Sequence, residues 1–240
     1  MKYVKVLILV ITLSFLSSCT RSKDELVMVT EAGFAPYEFY QNEKIVGVDV
    51  KIAEEIASTL GKKLVIKDVA FDSLINELKS GKADFAAAGF SITEERKKEV
   101  DFTVEYAVSN QVVVVKKGSS ITLNDLDGKK IAVQMGTVAD TYASKNYKKA
   151  KVISHKKYLT AAEDVKSGKA DLIIMDALPA RKLVENNPEL TILEGILFTD
   201  KYGMAVKKGN KELLNKMNEV LKKLMRENKI EEYTLEYTEA

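Results

Sequence analysis

The chain has 240 residues, 46% of them hydrophobic, which is enough apolar material for one large domain or two lobes. Its 37 basic and 35 acidic residues give a net charge of +2, and this near balance argues against a nucleic-acid-binding surface. The single cysteine excludes an internal disulfide, and the single histidine, His155, cannot anchor a metal cluster or a catalytic triad and is expected at the surface. No phosphate-binding or dinucleotide-binding fingerprint occurs, so no cofactor, metal or catalytic residue is predicted.

Residues 1–18 have the features of a signal peptide. Two lysines precede an apolar run of 11 residues, 6–16, which is too short to cross a bilayer because a crossing takes roughly 20 apolar residues. Leu-Ser-Ser then leads into Cys19 and resembles a bacterial lipobox, which predicts that Cys19 is the lipidated first residue of the mature protein. The alternative is an ordinary secretory signal with an incidental cysteine. The polar residues 19–23 are predicted to form a short tether.

The first predicted strand, residues 26–30, ends at Glu31, and Phe34 follows in the next loop. The ends of strands in α/β sheets are the usual location of ligand contacts, so both residues are candidates for binding. A carboxylate at Glu31 can pair with a cationic ligand group, or it can be solvated at the rim of a cleft. Tyr37 and Phe39 are expected in the core.

An amphipathic helix follows, with Asp49 as its predicted N-cap. The next strand, residues 64–69, runs to Phe71 at the start of another helix. At this junction Phe71 can contact a ligand or act as a core residue.

The central stretch of the chain is a buried strand, residues 85–88, and the loop after it. Gly89 allows the backbone to approach a ligand, and Ser91 adds a hydroxyl. Thr93 is the predicted N-cap of a short helical turn that carries Arg96, whose guanidinium matches a carboxylate. The alternative is that Arg96 belongs to a solvated run of three basic residues.

The pattern then starts again. The strand from residue 131 leads through Gln134 to Thr137 and Val138 at a helix N-terminus, where free N–H groups can bind an anion. A later strand, residues 172–175, ends at Asp176, which is either a helix N-cap or a ligand group. The other predicted elements are strands 100–103, 111–116 and 152–154 and helices 158–166 and 213–224.

The hexapeptide Lys-Ser-Gly-Lys-Ala-Asp occurs twice, at residues 79–84 and 166–171. Each copy follows a predicted helix and precedes a predicted buried strand. The repeat therefore favours two lobes of similar construction.

Residues 89–103, Gly-Phe-Ser-Ile-Thr-Glu-Glu-Arg-Lys-Lys-Glu-Val-Asp-Phe-Thr, resemble the signature of the amino-acid-binding proteins of ABC importers, the family 3 extracellular solute-binding proteins. The resemblance covers nearly all of the mature chain. It implies an α/β, two-lobed periplasmic-binding-protein-like type II fold, with lobe 1 at residues 24–108 and 205–240 and lobe 2 at 111–200. Two crossover strands near 109–113 and 201–205 would form the hinge.

The resemblance also implies the roles of the site residues. Arg96 would clamp the α-carboxylate of the ligand and Asp176 would pair with its α-ammonium, while Phe34 and Phe71 would pack on its side chain. The complete predicted set is Glu31, Phe34, Phe71, Gly89, Phe90, Ser91, Arg96, Gln134, Thr137, Val138 and Asp176.

The implied ligand is a free amino acid with a basic or polar side chain, arginine or lysine before glutamine. An acidic ligand is disfavoured, because Glu31 would repel it and no further Arg or Lys accompanies the motifs. The expected partners are the membrane subunits of an ABC importer and, through Cys19, the bacterial membrane; a monomer is expected. The alternatives are an enzyme similar to cyclohexadienyl dehydratases and a ligand-sensing partner of a membrane receptor.

Overall fold

A computed structural model describes residues 24–239, so the predicted signal peptide, Cys19 and the tether lie outside the described residues. The strands are β1 (Glu25–Thr30), β2 (Gly33–Phe34), β3 (Glu38–Gln41), β4 (Lys44–Val46), β5 (Lys63–Asp68), β6 (Phe85–Ala86), β7 (Val100–Phe102), β8 (Ala107–Lys116), β9 (Lys130–Gln134), β10 (Lys151–His155), β11 (Leu172–Asp176), β12 (Leu190–Ile192), β13 (Phe198–Tyr202) and β14 (Ala205–Lys207). The α-helices are α1 (Val48–Thr59), α2 (Leu74–Lys79), α3 (Glu94–Glu99), α4 (Val138–Asn146), α5 (Tyr158–Ser167), α6 (Ala177–Glu185), α7 (Lys211–Arg226) and α8 (Lys229–Thr238).

The first lobe is built on a five-stranded sheet with the strand order β5-β1-β6-β14-β7. In β1, side chains alternate between the two faces of the sheet. Leu26 and Met28 pack into the cluster that contains the buried face of α1, whereas Val27 and Val29 pack against the cluster that contains α2. Because β1 is apolar on both faces, it occupies an interior position in a sheet covered by helices on both sides.

The second lobe is built on a six-stranded sheet with the order β10-β9-β11-β8-β12, in which β13 also pairs with β8. The parallel strands β9, β10 and β11 are followed by the helices α4, α5 and α6. Their carboxyl ends therefore meet at one edge of this sheet, which faces the first lobe.

Two chain segments connect the lobes, and they run side by side. The backbone N–H of Tyr106 donates to Tyr202 O at 3.0 Å, and that of Thr103 donates to Met204 O at 2.9 Å. Strand β8 begins at Ala107, four residues earlier than residue 111, where the sequence predicts this strand to start.

The two hexapeptide copies make the same contacts in the two lobes. Asp84 accepts a hydrogen bond from Val27 N at 2.8 Å, and Asp171 accepts one from Lys130 N at 2.7 Å. Each aspartate thus ties the start of its strand to the start of a neighbouring parallel strand. The repeat therefore has the same structural role in each lobe, which is to hold two neighbouring parallel strands together at their starts.

Phe71 lies at the start of a helical segment, as predicted, because a short 3-10 helix from Phe71 runs directly into α2. Two local predictions were wrong. Gly47, not Asp49, is the N-cap residue of α1. His155 is not a surface residue, since its side chain is 12% exposed and its Nε2 lies 3.2 Å from Asp164 Oδ2. Within residues 24–239, no helix combines the length and the apolar character that a membrane crossing requires.

Candidate ligand-binding site

A narrow, nearly closed cavity lies between the lobes. Larger depressions occur on the surface, but this one gathers nine of the predicted site residues. Its lining consists of Glu31, Phe34, Glu38, Phe71, Ala88, Gly89, Ser91, Gln134, Thr137, Val138 and Asp176. Two predicted residues, Phe90 and Arg96, are outside this lining, and two lining residues, Glu38 and Ala88, were not predicted.

Gly89 has the backbone conformation and the lack of space that require glycine. Its φ is +49°, and a Cβ at this position would lie 2.6 Å from Cε1 of Phe34. The Phe34 ring is buried and stacks on Tyr158 of the second lobe, with ring centroids 5.9 Å apart. Close packing of these residues brings the first-lobe backbone directly to the cavity.

Thr93 is the N-cap of α3, as predicted, because its hydroxyl accepts a hydrogen bond from Arg96 N at 3.1 Å. The cap starts the helix so that Arg96 turns inward and is 9% exposed, while its neighbours Lys97 and Lys98 are exposed. The prediction of a solvated basic run therefore holds for the two lysines and is wrong for Arg96.

The guanidinium of Arg96 lies behind the cavity wall. Its Nη1 donates to Ser91 O at 2.6 Å and its Nη2 donates to Gly136 O on the second lobe at 3.0 Å. Its Cζ is 4.3 Å from the ring centroid of Phe90 and 5.4 Å from that of Phe71. Burial lowers the pKa of Arg96 to about 10, and it remains a cation at neutral pH.

Phe90 supports this group rather than lining the cavity. It is 1% exposed and packs edge-on against Phe71, with ring centroids 5.6 Å apart. Phe71 is 8% exposed, belongs to the core cluster of the first lobe and also lines the cavity, so its ligand contact stays a prediction.

Thr137 is the N-cap of α4 on the second lobe. Its hydroxyl accepts from Asp140 N at 3.2 Å and donates to Gln134 O at 2.8 Å, and Val138 begins the helix. Gly136 sits at the lobe contact, where an added Cβ would be 3.1 Å from Cβ of Asp72. This turn brings the first N–H groups of α4 to the cavity.

Asp176 lines the cavity and does not cap α6 with its side chain. It occupies the N-cap position of α6 but makes no capping hydrogen bond with its side chain. Its Oδ1 accepts from Ser109 Oγ at 2.7 Å and from the Tyr202 hydroxyl. Burial, together with the charge of Asp200, raises the pKa of Asp176 to about 6.

Glu31 is 1% exposed, so its predicted alternative as a solvated rim residue is wrong. Its Oε2 accepts from Gln134 Nε2 at 2.8 Å, and its Oε1 lies 3.3 Å from Lys157 Nζ. Burial raises the pKa of Glu31, and the hydrogen bond from Gln134 opposes that shift. Lys157 is not in any of the predicted motifs, and it reaches Glu31 from the second lobe.

Glu38 and Asp49 form a buried carboxyl pair. Glu38 is fully buried, and neither of its carboxyl oxygens receives a hydrogen bond from a protein donor among the described residues. Burial and the adjacent Asp49 raise the pKa of Glu38 well above its usual range. Asp49 instead accepts from Gly89 N at 3.0 Å and Tyr106 Oη at 2.5 Å.

Sequence reasoning missed the acidic character of this site. The buried carboxyl groups in or beside it are Glu31, Glu38, Asp49 and Asp176, and the half-buried Asp200 is close enough to raise the pKa of Asp176. A glutamate between Tyr37 and Phe39 in an apolar stretch was a usable signal for Glu38. Asp200 and Lys157 gave no local signal, because their roles come from elements that meet only in the fold.

Proteins of known type resemble this chain in sequence. A family model described as bacterial extracellular solute-binding proteins, family 3, matches residues 26–240. A probable histidine-binding protein of Campylobacter jejuni is 37% identical over 203 residues, which cover 79% of this chain and 79% of that protein. ABC transporter arginine-binding protein 1 of Escherichia coli is 31% identical over 223 residues, which cover 90% of this chain and 92% of the relative.

A solved structure of a mutant of ArgBP from T. maritima matches this fold with a TM-score of 0.86. The sequence identity is 40%, and the match covers 90% of this chain and 96% of the other. The two-lobed type II fold predicted from the sequence is confirmed by this likeness.

Proposed function

The chain belongs to family 3 of the bacterial extracellular solute-binding proteins, and from this premise we propose that it binds a free amino acid with a basic side chain between its lobes and delivers it to the membrane subunits of an ABC importer. Arginine and lysine are the favoured ligands, ahead of glutamine. The relatives described above are named for histidine and for arginine, so membership of the family does not choose the ligand.

The observation that carries the proposal is the excess of carboxyl groups around one small cavity. An α-amino acid brings one carboxylate and one ammonium, for which Arg96 and Asp176 provide opposite charges. Glu31 and Glu38 line the same cavity and remain for the side chain of the ligand. A cationic side chain can take the place of Lys157 opposite Glu31, whereas an acidic one would be repelled by that carboxylate.

Both lobes contribute to the lining of the cavity, so a bound ligand favours the closed arrangement through contacts with each of them. We take lobe 1 as residues 24–108 with 205–240 and lobe 2 as 111–200, a division that the two sheets support.

The proposal includes attachment to the outer side of the bacterial membrane through a lipid on Cys19. This part rests on the sequence, because Cys19 lies outside the described residues. Two or more acyl chains give stable attachment, where a single chain is marginal.

A thermal-shift screen of the amino acids, followed by calorimetry, tests the ligand. We expect arginine and lysine to stabilise the protein, by about 2.7 kcal/mol when the ligand is present at 100 times its Kd. Glu31→Gln should weaken arginine binding more than glutamine binding, and Glu95→Gln, an exposed glutamate on α3, serves as the control. Tight glutamate binding, or a preference for basic ligands that survives Glu31→Gln, would contradict the assignment.

A further inference from the structure

Lys157 lies on the second lobe, between β10 and α5, and reaches across to the first lobe. Its Nζ is 3.3 Å from Glu31 Oε1 and 3.7 Å from Asp68 Oδ2. The Lys157 side chain is 45% exposed, whereas the Glu31 side chain is 2% exposed. One end of this ion pair is therefore in the cavity wall, and the other end is in contact with solvent.

The second lobe contacts both oxygens of Glu31. Gln134 donates to Oε2 at 2.8 Å, and Lys157 lies within ion-pair distance of Oε1, which receives no hydrogen bond from the described residues. The carboxylate also packs on its own loop, since a Cβ added at Gly33 would lie 2.9 Å from Oε1. A ligand cation that approaches Glu31 thus meets a carboxylate whose charge is already balanced by a protein cation.

We propose that Lys157 is a specificity-determining residue, a tethered cation that competes with the cationic side chain of the ligand for Glu31. This inference rests on the proposed function, because it assumes that an amino acid binds in the cavity. It concerns the selectivity of that site and not its existence.

The physical effect of Lys157 depends on the charge of the ligand side chain. A guanidinium or ammonium must displace Lys157 from Glu31 or lie near it, and either arrangement costs electrostatic energy. A neutral side chain of the same shape meets no such repulsion. Partial burial lowers the pKa of Lys157, but the charges of Glu31 and Asp68 outweigh that effect, so Lys157 is a cation at neutral pH.

The neighbouring Lys156 provides a matched control. Its Nζ lies 2.9 Å and 3.1 Å from the carboxylate oxygens of Asp72, which is also on the first lobe. Its side chain is 61% exposed and does not line the cavity. Removing Lys156 deletes an ion pair between the lobes and leaves the charge at Glu31 unchanged.

The test compares L-arginine with L-citrulline, a neutral ligand of nearly the same shape, by titration calorimetry. The measured quantity is the ratio of the two affinities, in which any effect of the substitution on lobe closure cancels. In Lys157→Met we expect this ratio to shift toward arginine by roughly three- to tenfold. Lys156→Met and the charge-conserving Lys157→Arg should keep the ratio of the unmodified protein.

Three outcomes would overturn the inference. A ratio in Lys157→Met that equals that of the unmodified protein, or that shifts toward citrulline, removes Lys157 from the selectivity of the site. A shift of the same size in Lys156→Met assigns the effect to the loss of any cation between the lobes and not to the contact of Lys157 with Glu31. If the unmodified protein binds none of the amino acids, the proposed function fails as well. The first two outcomes differ from this one, because in them an amino acid still binds and only the role of Lys157 fails.

Discussion

Arg96 on the first lobe and Gly136 on the second are joined by a hydrogen bond of 3.0 Å from Nη2 to the carbonyl oxygen. The same guanidinium is held by Ser91 O through Nη1 and lies over the ring of Phe90. Each terminal nitrogen carries a second hydrogen, so the group can hold a carboxylate while it keeps both backbone contacts. A lysine ammonium has neither the planar shape nor enough donors in the right directions for all three.

We therefore expect both Arg96→Ala and Arg96→Lys to weaken binding of the preferred amino acid. Loss of one partner of a desolvated charge pair costs roughly 2–5 kcal/mol, which corresponds to about 30-fold to several thousand-fold in affinity. Calorimetry measures the loss, and Lys97→Ala, an exposed neighbour on the same helix, is the control. Unchanged affinity in an Arg96→Ala protein that melts normally would refute the role.

A comparison of Gly89 with Gly61 separates the two costs of adding a Cβ, which are backbone strain and steric clash. Both have positive φ, but a Cβ at Gly61 meets nothing within 4 Å, whereas at Gly89 it meets the Phe34 ring at 2.6 Å. Gly61→Ala should cost only the backbone strain, about 1–2 kcal/mol of unfolding free energy. Gly89→Ala should cost more than that and should also weaken ligand binding. Urea unfolding provides the comparison, and equal losses at the two positions would contradict the packing argument.

Asp176→Asn should stabilise the ligand-free protein at neutral pH while it weakens amino-acid binding. The pKa of Asp176 is raised to about 6 from its ordinary 3.8, so the ionised carboxylate opposes folding above that pH. This cost fades as the pH falls from about 6 toward 3.8, because the folded protein takes up the proton first.

Urea unfolding of both proteins at two pH values tests this prediction. The asparagine variant should gain on the order of 1 kcal/mol near neutral pH and little or nothing near pH 4. A variant less stable than the unmodified protein at neutral pH would show that the ionised carboxylate contributes favourably to folding.

Cys19→Ala should release the protein from membranes when the full chain is expressed in a bacterial host. The reason is the loss of the only thiol in the chain, and with it the acyl chains that give stable attachment. Membrane fractionation measures the change, and Ser18→Ala is a neighbouring control. Membrane partitioning that persists in Cys19→Ala would show that the anchor is elsewhere.

Features that depend on neighbouring residues could be predicted from the sequence. The order of strands and helices follows from apolar periodicity, and the N-caps Thr93 and Thr137 follow from local residue type. The hexapeptide repeat indicated two similar lobes, and Asp84 and Asp171 indeed make equivalent contacts.

Features that depend on distant residues could not be predicted in the same way. Asp49 has the sequence context of a helix cap, but it turns inward because Gly89 N and Tyr106 Oη lie there to donate. Lys157 looks like part of a solvated pair of lysines until the second lobe places it against Glu31. Their roles follow from which strand ends face each other, and that information is spread over the whole chain.

Strand β14 lies between β6 and β7, although it comes after the whole second lobe in the chain. For a polypeptide that emerges N-terminus first, every strand of the second sheet is available before the first sheet can receive this interior member. Until residue 207 has emerged, β6 and β7 each present an unpaired edge and cannot be joined. The order of synthesis therefore delays completion of the first lobe until every strand of the second lobe has been made.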